Sequence, residues 1–177
     1  MVFKAIQDKF KVKSGLKFLE DELAKPRDTR TGKKGIHSLG CIVDLDQFET
    51  PDAFYELRQE LSLRPNAIQL IGYHKNHDKN SPFAVQFYTD RDLGWNGSIE
   101  NGYVAEFTGR EYDVLISYYA QDRLLLHLLT AKTKARIKVG FGAVDAKFND
   151  LIMNMPISDF TSFKQELKKY LKILNEI

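Results

Sequence analysis

Residues 112–119 read YDVLISYY; apart from Asp113 and Ser117, every side chain is aliphatic or aromatic. Successive side chains of a strand face opposite ways, so a run apolar on both faces must be covered on both. Residues 122–135 follow at once with five leucines. They lie on more than one helical face, which predicts a well-buried helix. Residues 136–141, RIKVGF, then read as another strand. Strand, helix and strand within about 30 residues form a parallel crossover unit.

The same alternation runs through the chain. Residues 36–44 predict a first strand. Thr50-Pro51-Asp52 opens a helix with a capping hydroxyl, a proline at the first turn and an acid near the positive end; it runs to about Leu63 and stops at Pro65. Strands are predicted over 67–73, 83–88 and 151–155, and a short helix over 100–108. A closing helix starts at Ser158 or Asp159, with Phe160, Phe163, Leu167, Tyr170 or Leu171, and Leu174 in helical period. The expected fold is a Rossmann-like open, mainly parallel α/β sheet flanked by helices. Residues 2–24 predict an N-terminal helix that Gly15 splits in two, and 25–35 (KPRDTRTGKKG) a polar loop. The expected organisation is a basic helical extension and linker over 1–35, then a single α/β domain over 36–177.

No apolar run reaches the length of a membrane span, and the charged N-terminus lacks the apolar core of a secretory signal. With one cysteine, Cys41, in an apolar run, no internal disulfide can form. Cytoplasm is the expected compartment.

Charge is uneven. Residues 1–35 hold ten Lys/Arg against five Asp/Glu, and the remainder 16 against 19. Lys4, Lys9, Lys11, Lys13 and Lys17 on the helix, with Arg27, Arg30, Lys33 and Lys34 in the 25–34 segment, are candidate contacts for a polyanion such as RNA. A solvated helix face is the plainer reading of the same residues. Residues 92–98 (DLGWNGS) hold the only tryptophan beside a turn-forming Asn-Gly pair. Trp95 and Asn96 are either a partner contact or, with the indole folded back, a cover for the sheet edge.

Candidate chemistry centres on CIVDLDQF, three apolar residues followed by Asp44 and Asp46 on either side of Leu45. Two carboxylates at the C-terminal end of a strand can hold Mg²⁺ where open α/β sheets bind ligands. The run resembles the first motif of haloacid-dehalogenase-type phosphatases. That resemblance implies Asp44 as nucleophile, Asp46 as acid/base, Ser117 as the second motif and Lys138 as the third. Phe48 departs from the pattern, and Asp145 and Asp150 lack the spacing of its closing acidic pair. His74 and His77 are a weaker metal candidate. Lys132, Lys134, Arg136 and Lys138 could clasp phosphate or serve a helix end and an edge strand. Gly140-Phe141-Gly142 is no dinucleotide fingerprint, and neither a P-loop nor a GxSxG elbow occurs.

LGWNGSIE, YDVLISYY, ARIKVGF, NDLIM and YLKILNEI resemble a family of uncharacterised bacterial domains of unknown function, over roughly 36–177. The resemblance implies a small cytosolic α/β domain and supplies no activity. DVLIS, a leucine-rich helix and RIKVGF are also similar to part of the N-terminal half of heptosyltransferase-type glycosyltransferases, whose second, nucleotide-sugar half has no counterpart here. The leading expectation is a non-enzymatic cytosolic accessory protein that docks on a ribosome or other RNA-containing or multiprotein assembly and needs no cofactor. The alternative is a Mg²⁺-dependent phosphate-transferring or nucleotide-sugar enzyme. A homo-oligomer built through the N-terminal helix is a third reading.

Overall fold

A computed structural model describes residues 1–26, 34–76, 84–142 and 146–177. Helix α1 spans Val2–Ala24, β1 Leu39–Asp44, α2 Leu57–Glu60, β2 Ile68–His74 and β3 Phe87–Thr89. Then come α3 (Gly102–Thr108), β4 (Glu111–Tyr118), α4 (Leu124–Lys132), β5 (Lys134–Phe141), β6 (Leu151–Met153) and α5 (Phe160–Ile173). The six strands form one sheet in the order β3-β2-β1-β4-β5-β6, every neighbouring pair parallel. This is a doubly wound α/β fold of the Rossmann-like kind, as the alternation predicts.

Each sheet face buries its own cluster. On one, Leu39, Cys41, Val43, Val114, Ile116 and Tyr118 pack against Leu57 of α2 and Phe163, Leu167 and Leu171 of α5. On the other, Ile42, Ile71, Leu115 and Tyr119 pack against Leu19 of α1, Val104 and Phe107 of α3, and the leucines of α4. Burial pushes the Cys41 thiol far above its ordinary pKa, so it serves as a small core residue.

Several boundaries differ from the sequence expectation, each for a local reason. Gly15 does not divide α1; it is buried where the helix meets α4, and a Cβ there would stand 3.4 Å from Leu124 and 3.6 Å from Leu128. The segment after Thr50 is a 3-10 turn, Pro51–Glu56, then the single turn α2; Ser62, at φ 52°, ends it ahead of Pro65. β3 is shorter than 83–88 because it pairs only with Gly72, Tyr73 and His74; residue 83 lies outside the described residues. α4 stops at Lys132 because Thr133 turns extended, its N–H and hydroxyl both donating to the Leu129 carbonyl, and β5 starts at once. Asp159 caps α5, accepting the Ser162 N–H at 3.0 Å. No described helix is long and apolar enough to cross a membrane.

Candidate functional site

In this strand order the chain reverses direction across the sheet between β1 and β4. The crevice above their C-terminal ends is where open α/β sheets take ligands. Asp44 ends β1 there, fully buried. One carboxylate oxygen, Oδ1, accepts the Asp46 N–H at 3.1 Å. The other, Oδ2, has no hydrogen-bond partner among the described residues; Arg123 Nε stands 3.6 Å from it. Desolvation lifts the Asp44 carboxyl to a pKa of about 6, against the pull of Arg123.

Asp46 is partly exposed and better satisfied. It receives the Lys75 N–H at 2.9 Å, meets His74 Nδ1 at 2.9 Å and Arg123 at 3.4 Å. Burial works against its ionised form, but the bonds from His74 and Lys75 outweigh it and hold the pKa below the usual value. Gln121 fixes the other side of the Arg123 guanidinium, which also lies 5.5 Å over the Tyr73 ring. The Gln47 side chain accepts the Ala120 N–H at 3.0 Å, bridging the two strand ends. The crevice is thus spanned by the chain's own groups, with a guanidinium between the two carboxylates where the sequence reading places Mg²⁺. Among the described residues no three His, Cys, Asp or Glu side chains cluster to hold a metal; His77 lies outside them.

Ser117 and Lys138 belong to a different cluster. Ser117 Oγ pairs with Thr130 Oγ1 at 3.1 Å, and Lys138 Nζ donates to the Thr130 carbonyl at 2.6 Å. Thr130 lies seven residues beyond Arg123, about 10 Å along α4. The phosphatase-like set of Asp44, Asp46, Ser117 and Lys138 is therefore divided between two hydrogen-bonded groups. Arg123 and the Asp46–His74 contact escape the sequence reading because they depend on strand order: only when β4 lies beside β1 does the start of α4 reach Asp44.

A second candidate surface lies on α1. Residues 1–10 are exposed on every side, and burial begins at Lys11, continuing through Ser14, Gly15, Phe18, Leu19, Glu22 and Leu23. At 100° per residue, Phe3, Ile6, Phe10, Lys13 and Lys17 fall within about 80° of one another, and about 130° round the axis from the side that packs on the body. Phe3 is 83% and Phe10 56% exposed. Lys4, Lys9, Lys13 and Lys17 are exposed and Lys11 half-buried. Lys34 is exposed; Arg27, Arg30 and Lys33 lie outside the described residues.

The Trp95 turn sits against this helix. Asn96 and Gly97 take φ 52° and 71°, and the Ser98 N–H returns to the Trp95 carbonyl at 3.0 Å. Leu93 and Ile99 form an antiparallel bridge behind it. Asn96 N–H donates to Ser14 Oγ at 3.0 Å, and Trp95 remains 49% exposed. The lysine-bearing helix and the tryptophan turn, far apart in sequence, are thus in direct contact. Lys132 of α4 reaches α1 from the other side, its ammonium 4.0 Å over the Phe18 ring.

A family of unknown function, DUF6913, matches residues 11–174. The chain belongs to that family. No curated protein and no solved structure matches it. The match opens at Lys11, the first half-buried residue of α1, and runs to the end of α5, so it takes in the whole sheet.

Proposed function

We propose that this DUF6913 member is a non-enzymatic cytosolic accessory protein that docks on an RNA-containing assembly through α1 and the Trp95 turn. The carrying observation is that residues 1–10 hold Phe3, Ile6 and Phe10 on a helix whose stripe stays exposed among the described residues. Ten residues of isolated helix are marginal in water, so a partner that covers the stripe stabilises it. Charge selects the partner. The first 17 residues carry five lysines and one acid, Asp8. A second copy would bring the same charge and repel, whereas phosphates are attracted. Phe3, Phe10 and Trp95 beside lysines suit unpaired bases, which stack on aromatic rings.

The test is fluorescence anisotropy of the full chain with a single-stranded RNA. Three or four lysine–phosphate contacts predict an affinity falling roughly 20- to 50-fold between 50 and 200 mM salt. Replacing Lys4, Lys9, Lys13 and Lys17 by glutamine should flatten that dependence, while Phe10→Ala and Trp95→Ala weaken binding without changing it. Binding that ignores salt, or none, overturns the RNA reading.

Asp44 favours a second reading, a phosphate-transferring or nucleotide-sugar enzyme at the crevice. A buried carboxylate oxygen that accepts no hydrogen bond among the described residues, at the switch point, is the kind of group such sites use. Mg²⁺-dependent phosphoester turnover abolished by Asp44→Asn would establish it; turnover indifferent to that change would remove it.

A further inference from the structure

The exposed groups of α1 are ordered along the helix. Lys9, Lys13 and Lys17 are all exposed and four residues apart. They therefore follow one another about every 6 Å of axis, each about 40° round from the last. Phe10 lies about 60° from Lys13 on the side of this row nearer the body, and Ser14 about 40° further round and one turn on. Ser14 Oγ accepts the Asn96 N–H at 3.0 Å, so the Trp95 turn borders the stripe just beyond Phe10. Cations run along one side of the strip, and the rings of Phe3, Phe10 and Trp95 along the other.

The row also has an end. The next exposed side chains after Lys17 are Glu20 and Asp21. They stand three and four residues on, so both are neighbours of Lys17 on the helix surface, one to either side of it. A polyanion that follows the lysines meets two carboxylates there and is repelled. Asp8, the remaining acid of this stretch, lies about 100° or more from each of the three lysines and outside the strip. From Phe3, the first ring of the stripe, to Lys17 the axis runs about 21 Å.

A single strand suits such a strip better than a duplex. Its bases are free to stack on aromatic rings while its phosphates lie along a row of cations. Paired bases are already stacked on one another and offer the rings little. The spacing of the ammonium groups is close to one step of an extended strand. We infer that α1 holds about four unpaired nucleotides in line with its axis, phosphates on Lys9, Lys13 and Lys17 and bases on Phe3, Phe10 and Trp95, with Glu20 and Asp21 ending the track. The track rests on the RNA reading of α1 and gives it a length, an orientation and a stop.

The experiment is fluorescence anisotropy of the full chain at low salt with labelled oligouridines of about two to ten nucleotides. Affinity should climb steeply to about four nucleotides, then gain only the few-fold that extra binding registers supply. Trp95 is the only tryptophan, so its own fluorescence reports stacking and should be quenched as that length is reached. A duplex of about ten base pairs should bind roughly tenfold more weakly than the single strand of that length. Glu20→Lys with Asp21→Lys carries the row one turn further, and the break should move to about six nucleotides. Both side chains are exposed on a helix where lysine is well tolerated, so the fold is retained. Affinity that climbs without a break, a break that stays put in the double variant, an unquenched Trp95 or equally tight duplex binding overturns the track and leaves the RNA reading standing. No binding of any oligomer overturns both.

Discussion

The Asn96 backbone N–H donates to Ser14 Oγ at 3.0 Å, and the same hydroxyl donates to the Lys11 carbonyl at 2.9 Å. One side chain thus joins α1 to the Trp95 turn, 82 residues away in the chain. Ser14→Ala removes the acceptor and should cost about 1 kcal/mol. Tm should fall by about 2–4 °C for a chain of this length. RNA affinity should drop several-fold as Trp95 loses its fixed place, with its salt dependence unchanged because no charge has gone. Parallel thermal melts and salt-titrated anisotropy check this; an altered salt dependence would show that the turn does not act through Trp95.

Asp44 makes a pH prediction whose sign is set by burial. Its folded pKa, about 6, lies above the ordinary 3.8, so the folded state holds the proton more tightly. The stability this group contributes is full below about pH 4 and is lost as pH rises through about 6. Asp44→Asn keeps the shape and cannot ionise. The stability of the natural protein relative to this variant should fall by up to about 3 kcal/mol between pH 4 and pH 7. Denaturant melts of both proteins across that range measure it, and parallel curves would show that Asp44 is not desolvated. Asp46 and Glu176, whose pKa values are lowered by hydrogen bonds from His74, Lys75 and Arg136, tilt both proteins the opposite way and cancel in the difference.

The strands were legible because burial on both faces leaves an unbroken apolar run, as at 112–119, and the closing helix because one buried stripe repeats Phe163, Leu167 and Leu171. Strand order was not legible, since no local pattern records which strand neighbours β1. Everything that depends on it was hidden too: Arg123 reaching Asp44, and Ser117 and Lys138 meeting at Thr130 instead of at Asp44. Gly15 misled for a related reason. A glycine breaks an isolated helix, yet here its bare Cα lets α1 approach Leu124 and Leu128, a contact invisible without the partner helix. The exposure of Phe3 and Phe10 was equally hidden, because an apolar stripe at helical spacing reads the same whether covered or bare.

Two glycines at one junction should respond in opposite directions. At Gly15 a new Cβ would meet Leu124 at 3.4 Å and Leu128 at 3.6 Å, ordinary contact distances, in a helical backbone where alanine is favoured over glycine. Gly15→Ala should therefore stabilise by about 0.5–1 kcal/mol. At Gly97 the backbone has φ 71°, and a Cβ would stand 2.9 Å from Phe18 and 3.0 Å from Leu128. Leu128 is fully buried and has little room to yield, so the substitution adds a clash to a left-handed backbone. Gly97→Ala should destabilise by about 1–3 kcal/mol and loosen the Trp95 turn. Denaturant melts give both signs, and RNA anisotropy should show Gly15→Ala unchanged and Gly97→Ala weakened. Weaker RNA binding by the stabilised Gly15→Ala protein would mean that docking requires α1 to move on α4, which would overturn a fixed docking surface.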